Sequence, residues 1–385
     1  MRLAFYTQHV LGMGHLFRSL EIIRALKGHE VTMITGGAEA DLPLPDHAER
    51  HQLPGLMMDA DFGRFIPMEA GADVEEVLAR RRQDLLAFLR HWQPDVFLVE
   101  LFPFGRKKFG TELIPALEAA KAGEFGSCRT ACSVRDILVE KKDQTKFENR
   151  VLGILNPLFD ALLVHADPEL VRLEETFSAY DRIEIPVHHT GYVTPKPDPQ
   201  KGLEIRRALG LCCTPLITVS AGSGSVGGEL LLASARASAL LAAKKKHRMQ
   251  LFTGPYMAAT VRAELDTIAD STPQLRVETF AEDFPAWLTA SDLSVSMAGY
   301  NTTMNLLAAN RYGLVLPFDQ NREQRMRAER LQRMGALKVL TPVDLEPQKL
   351  ADHMQAALER PPGSHAVDLD GAEASARILQ DLARH

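Results

Sequence analysis

Hydrophobic positions fall into short continuous runs, separated by stretches in which apolar residues recur every three to four positions. Short continuous runs mark strands buried on both faces, and the 3.6-residue period marks amphipathic helices. Leu3–Thr7 reads as a first strand. A Gly-rich turn follows, Gly12-Met13-Gly14-His15, and then a helix with Leu16, Leu20 and Ile23 on one face, closed by Lys27-Gly28. Val31–Thr35, Val96–Val99 and Ala161–Val164 continue the strand series. This alternation predicts an α/β fold with parallel sheets. Residues 38–72, rich in Pro, Gly and Met, fit neither period, and no element is predicted there.

The alternation pauses at Val193-Thr194-Pro195-Lys196-Pro197-Asp198-Pro199, where three prolines in five residues make a stiff, extended linker. It then restarts with strand Leu216–Val219, a second Gly-rich turn from Ala221 to Gly228 and a helix from Glu229. Each half therefore opens with strand, Gly-rich turn and helix. Two doubly wound domains are expected, 1–195 and 196–385, with a last helix at about 372–384 able to cross back to the first.

Composition narrows the classes. A chain of 385 residues exceeds one ordinary core. A net charge of −6 gives no general drive toward nucleic acid. No apolar run reaches the ~18 residues of a membrane span, and the N-terminus runs straight into a strand pattern rather than a signal peptide. Cys128, Cys132, Cys212 and Cys213 lack zinc spacing, so no structural metal is expected and a reducing cytoplasm fits. Cys212-Cys213 is too strained a pair for a structural disulfide.

Two turns in the second half carry candidate ligand chemistry. The four glycines of 221–228 leave backbone free to approach a ligand, and the following helix N-terminus suits a diphosphate. No Gly-Lys-Ser/Thr follows, so this is not a Walker loop. Ser296-Met297-Ala298-Gly299-Tyr300-Asn301-Thr302-Thr303 is a second small-residue turn, between strand Leu293–Val295 and a helix. Farther on, Glu323 and Gln324 follow Pro317-Phe318 and can offer hydrogen bonds to sugar hydroxyls or simply cap a helix.

These features, in this order, resemble the donor-binding domain of the MurG-type glycosyltransferases, which add N-acetylglucosamine to a lipid-linked peptidoglycan intermediate. The matching positions are the loop 221–228, Phe280-Ala281, Ser291-Asp292, Ala298-Gly299, Pro317-Phe318 and Gln324. Over nearly its full length the chain is similar to a MurG-related group of predicted glycosyltransferases, through GMGHLFRS (12–19), PDVFLVELFPFGRKKFG (94–110), SVRDILV (133–139), TGY (190–192) and SMAGYNTT (296–303). The resemblance implies a GT-B fold, two Rossmann-like domains facing a cleft, with a nucleotide-sugar donor, no cofactor and no metal. It implies that Gly222, Ser223 and Gly224 contact the diphosphate, Phe280 and Ala281 the base, Thr302 a phosphate and Gln324 the sugar, with Gly299 and Glu323 counted in the same donor site. Where the family carries a ribose-binding Glu, this chain has Asn305, which lacks the charge of a carboxylate.

In the first half, His15 stands where strand gives way to helix, and the resemblance places a catalytic His there. A helix N-terminus lowers an imidazole's pKa, and a neutral imidazole can take a proton from an acceptor hydroxyl. Gly12 and Gly14 shape this turn, and Arg18 stands one helical turn on, to bind an acceptor anion or form an ion pair. Glu100 and Asp136 follow strands and can orient His15 or act as base. Phe102-Pro103-Phe104-Gly105-Arg106-Lys107-Lys108-Phe109 reads as a surface loop, with peripheral contact to an anionic membrane or lipid carrier as the alternative. The leading expectation is an inverting transferase acting on an unidentified acceptor. A nucleotide-sugar hydrolase using the same His and a non-catalytic nucleotide-sugar binder stay open.

Overall fold

The computed structural model describes residues 1–8, 14–37, 43–58, 64–318, 322–360 and 365–384. Gly12 lies outside them. The chain divides into two units, Met1–Val193 with Val367–His385, and Thr194–Ala366.

In the first unit the strands are β1 (Arg2–Tyr6), β2 (Glu30–Thr35), β3 (Ala48–Gln52), a hairpin of β4 (Leu56–Met58) and β5 (Phe65–Pro67), then β6 (Val96–Glu100), β7 (Arg129–Arg135), β8 (Ala161–His165) and β9 (Val187–His189). The main sheet is parallel, in the order β3-β2-β1-β6-β7-β8-β9. The helices are α1 (Gly14–Ala25), α2 (Val74–Trp92), α3 (Gly110–Lys121) and α4 (Gln144–Leu158).

Because side chains alternate along a strand, the two faces have separate cores. Leu3, Phe5, Val31, Met33, Leu98 and Leu163 pack with Leu16, Ile22 and Ile23 of α1. Tyr6, Phe97, Val99 and Val164 pack with Val77, Leu113 and Val151 of α2, α3 and α4. β3 was not foreseen because Ala-Glu-Arg-His-Gln is a polar edge strand with no apolar run to mark it.

The second unit holds β10 (Leu216–Ser220), β11 (Arg248–Phe252), β12 (Leu275–Glu278), β13 (Leu293–Met297), β14 (Gly313–Leu316) and β15 (Leu337–Val339). They form a parallel sheet in the order β12-β11-β10-β13-β14-β15. Its helices are α5 (Pro199–Ala208), α6 (Gly228–Ala242), α7 (Ala259–Asp270), α8 (Phe284–Ala290), α9 (Tyr300–Ala308), α10 (Arg322–Arg333) and α11 (Pro347–Leu358). The last helix, α12 (Gly371–Leu382), belongs to the first unit. Its Ala372, Ala376 and Leu379 join the α1 core, and Val193 bridges Asp370, so the second unit stops at Ala366 rather than at the chain end.

In both sheets strand order reverses next to the first strand, between β1 and β6 and between β10 and β13. Open α/β sheets bind ligands beyond the strand C-termini at such a switch point. Among the described residues no helix is long and apolar enough to cross a membrane.

Candidate active site

At the first switch point α1 begins at Gly14, which puts His15 and Arg18 in its opening turns beside Glu100, the last residue of β6. His15 Nδ1 lies 2.6 Å from Glu100 Oε1. Arg18 Nη2 donates to the same oxygen at 2.6 Å and lies 3.0 Å from His15 Nδ1. An ionised carboxylate only accepts, so the network assigns the imidazole proton to Nδ1 and leaves the Nε2 lone pair as acceptor. The His15 side chain is 25% exposed and that of Glu100 is 1% exposed, so the imidazole can be reached while its partner cannot.

Burial pulls the His15 imidazole down to about 4; Glu100 opposes the shift, and Arg18 and Arg106 reinforce it. The lowering agrees in direction with the expectation from the helix end, but its main cause is desolvation. Burial would raise Glu100, yet His15, Arg18 and Arg106 outweigh it and hold its carboxyl well below the usual range. At neutral pH the pair is a neutral imidazole against a carboxylate, an arrangement with the chemistry to accept a proton.

The α1 face of this sheet turns polar at its C-terminal end. Ser133 pairs in register with Glu100, and its Oγ lies 2.7 Å from His165 Nε2. His165 Nδ1 lies 2.9 Å from Thr190 Oγ1. Burial holds His165 down to about 3, so it is neutral. Asp136 follows β7 and is fully buried; no hydrogen bond joins it to His15. Of the two acidic candidates only Glu100 orients the histidine. The segment 102–109 does not offer aromatic rings to a membrane: Phe102, Phe104 and Phe109 are buried in the sheet core.

Beneath this edge Arg81 is fully buried. It donates to Glu112 through Nε at 2.8 Å and Nη2 at 2.7 Å, to the carbonyls of Gly36 and Pro54, and to Gln8 Oε1. Tyr6 also donates to Glu112. The network ties α2 and α3 to the ends of β1 and β2, just before the Gly-rich turn. Breaking a buried pair by removing one partner costs about 3–5 kcal/mol.

In the second unit five loops line the C-terminal edge in strand order. Phe280 and Ala281 follow β12, Thr253–Met257 follow β11, Gly222–Gly227 follow β10, Gly299 follows β13 and Phe318 follows β14. Phe280 is 61% exposed and free to stack, whereas Ala281 is buried. Gly222 adopts φ +70 with open space where a side chain would project. Gly224, at φ +88, is packed: an added Cβ would lie 2.5 Å from the Thr253 carbonyl oxygen. Ser223 is exposed, and its Oγ lies 3.3 Å from that of Ser225. Gly299 caps α9, and Thr302 stands in its first turn.

Asn305 Oδ1 accepts from Thr194 Oγ1 at 2.9 Å, which commits part of its side chain to the segment entering this unit. Gln324 Oε1 accepts from the Phe318 N–H at 3.1 Å, leaving its amide NH₂ for a ligand. Glu323 is buried in α10, so of the Glu-Gln pair Gln324 is the more accessible.

Sequence reasoning missed Tyr256. It is 71% exposed, and its N–H donates to the Ser223 carbonyl at 2.9 Å, which sets its ring on the neighbouring loop to the Gly-rich turn. Thr253-Gly254-Pro255 at a strand end was the available signal. His165 and Arg81 were missed as well, one behind an apolar strand and one within a run of three arginines.

Residues 217–377 match the glycosyltransferase family 28 C-terminal domain. The UDP-N-acetylglucosamine–N-acetylmuramyl-(pentapeptide) pyrophosphoryl-undecaprenol N-acetylglucosamine transferase of Brucella canis is 28% identical over 113 residues, 28% of this chain and 30% of that protein. The chain thus aligns with under a third of this relative's length. MurG of Acinetobacter baumannii shares the fold over 100% of this chain and 98% of its own, with a TM-score of 0.56 and 16% identity. The UDP-GlcNAc 2-epimerase of Neisseria meningitidis, solved with UDP-GlcNAc bound, matches 99% of each chain with a TM-score of 0.63 and 13% identity. The chain thus shares the GT-B fold of MurG, and its residues 217–377 are similar to the glycosyltransferase family 28 C-terminal domain.

Proposed function

We propose that the chain is an inverting glycosyltransferase that moves a sugar from a nucleoside-diphosphate sugar, UDP-linked, to an acceptor hydroxyl. The observation that carries this reading is the His15–Glu100 pair at the first unit's switch point, a neutral, reachable imidazole oriented by a buried carboxylate.

The second unit supplies the donor site. Its edge runs from Phe280 through Gly222 and Gly299 to Gln324, the order of base, diphosphate and sugar in the donor. His15 Nε2 takes the acceptor proton as the acceptor oxygen bonds to the anomeric carbon. The carbon–oxygen bond to the diphosphate breaks with inversion, and Glu100 stabilises the imidazolium that forms. The N-termini of α6 and α9 offset the charge on the departing diphosphate. Such a site needs no metal, so EDTA leaves turnover unchanged.

The test is incubation with UDP-sugars and an acceptor extract, read by mass spectrometry. An acceptor product heavier by one sugar, with UDP released, supports the reading. Free sugar formed without acceptor turns it to hydrolysis, and intact donor after prolonged incubation turns it to binding alone.

A further inference from the structure

Cys212 and Cys213 stand in the connection from α5 to β10, and the transfer chemistry makes no use of them. Successive side chains of an extended chain point to opposite sides. Here the chain bends at 212–214, and both thiols are exposed with their Sγ atoms 3.5 Å apart.

Anchors on both sides hold this bend. α5 ends in a Schellman turn: Gly210, at φ +66, donates its N–H to the Arg207 carbonyl, and Leu211 donates to that of Arg206. The Arg206 side chain reaches across the loop and donates to the Thr214 carbonyl at 3.1 Å, the Ala290 carbonyl at 2.8 Å and Asp292 at 2.9 Å. Asp292 also accepts from the Leu216 N–H at 2.8 Å. Leu211 and Thr214 are thus fixed, and the two cysteines form the tip between them. Cys128 and Cys132 are buried, so this tip carries both exposed thiols of the chain.

A disulfide does not suit the tip. Neighbouring Cα atoms lie about 3.8 Å apart across a trans peptide, below the ~4.4 Å at which disulfides begin, and a strained disulfide is readily reduced. The dithiol is the resting form, and its geometry selects among thiophilic partners. With bonds of about 2.3 Å, the length of a zinc–thiolate bond, a separation of 3.5 Å corresponds to an angle of about 100° at a bridging atom. A linear two-coordinate ion would need sulfurs about 4.6 Å apart. A tetrahedral ion would need two further ligands, and among the described residues no cluster of three or more metal-binding side chains occurs. A pyramidal trivalent centre that brings its own third substituent takes two sulfurs at such an angle.

We propose that Cys212 and Cys213 form a dithiol site for trivalent arsenicals of the type R–As=O. Each sulfur bonds to arsenic, the two thiol protons leave with the arsenical oxygen as water, and arsenic keeps its substituent and its oxidation state. The site stands at the start of β10, whereas the Gly-rich turn follows the far end of this five-residue strand, roughly 17 Å away. It is therefore independent of the donor reading.

The experiment treats the full-length, reduced chain with phenylarsine oxide, then with a large excess of the monothiol glutathione, and reads the intact mass under native conditions. One phenylarsenic adduct per chain survives in the wild type, because the second sulfur closes the ring at an effective concentration that a free monothiol does not match. Cys212→Ser and Cys213→Ser, both at exposed positions, fold as the wild type does. In each, the glutathione concentration that strips half of the adduct falls about hundredfold or more. Loss of the wild-type adduct in glutathione, or its equal survival in either single variant, overturns the proposal. A wild-type mass lower by two hydrogens with no arsenic bound marks the disulfide instead, and overturns it too.

Discussion

His15 Nδ1 and Glu100 Oε1 lie 2.6 Å apart, on a helix and a strand that are 85 residues apart in sequence. The contact fixes which ring nitrogen faces outward. His15→Ala lowers turnover by about 10²–10⁴-fold with UDP affinity unchanged. Glu100→Gln leaves the imidazole in place but can favour the other tautomer, and lowers turnover by at least about tenfold. Near-normal turnover in both variants, at an unchanged melting temperature, would remove the base role.

Turnover against pH reads the same pair. The base must be neutral, and burial holds His15 at about 4. Activity therefore rises through pH ~4 and is level by pH ~6, below the ordinary imidazole range near 6.5. This limb disappears in His15→Ala. An acid limb centred at 6.5 or above would contradict the desolvated environment.

Asn305 occupies the position at which the resemblance implies a ribose carboxylate. The Thr194 hydroxyl that bonds Asn305 can donate equally to a carboxylate. Asn305→Glu thus keeps that contact and tightens UDP binding by about 1 kcal/mol, roughly fivefold in Kd. Calorimetry checks this, and weaker binding would place the ribose elsewhere.

Much of this architecture was legible because parallel strands buried on both faces show as apolar runs. Leu3–Tyr6 and Val96–Val99 have the length of strands rather than of helices. The second Gly-rich turn was legible because a sharp strand-to-helix turn calls for positive φ, which Gly222, Gly224 and Gly227 adopt. The sequence pattern failed where a polar side chain shares an apolar stripe. Arg81 lies four residues after Val77 and four before Leu85, on the buried face of α2, yet Arg80 and Arg82 beside it disguise it. Periodicity does not reveal which of Glu100 and Asp136 meets His15, since both end strands; the pairing depends on where α1 crosses the sheet. The return of α12 to the first unit follows from its Ala372, Ala376 and Leu379 face finding the α1 core, a tertiary choice.

The two glycines of the donor loop separate by role. Gly224→Ala forces a Cβ against the backbone of Thr253 and Met257 and lowers stability by about 2 kcal/mol. Gly222→Leu meets open space and pays only for its left-handed backbone, about 1 kcal/mol. Denaturant titration orders the two, and a reversed order would contradict the packing of the loop.

His165 gives the fold an acid sensitivity. In the unfolded chain it takes up a proton near pH 6.5, whereas in the native protein it resists until about 3. The unfolded state therefore binds more protons between these values, and stability falls as pH drops through this window, by ~1 kcal/mol per pH unit. His165→Gln, which can keep both hydroxyl partners, flattens that slope. An unchanged slope would mean that His165 is protonated in the native state.

Titration of UDP into the wild-type, His15→Ala and Gly222→Leu proteins tests the division of labour most directly. One UDP per chain is expected for the wild type, the same affinity for His15→Ala, and loss of binding for Gly222→Leu, whose side chain fills the open space beside the loop. Failure of the wild type to bind UDP, or full affinity in Gly222→Leu, would contradict the assignment of the donor to this turn.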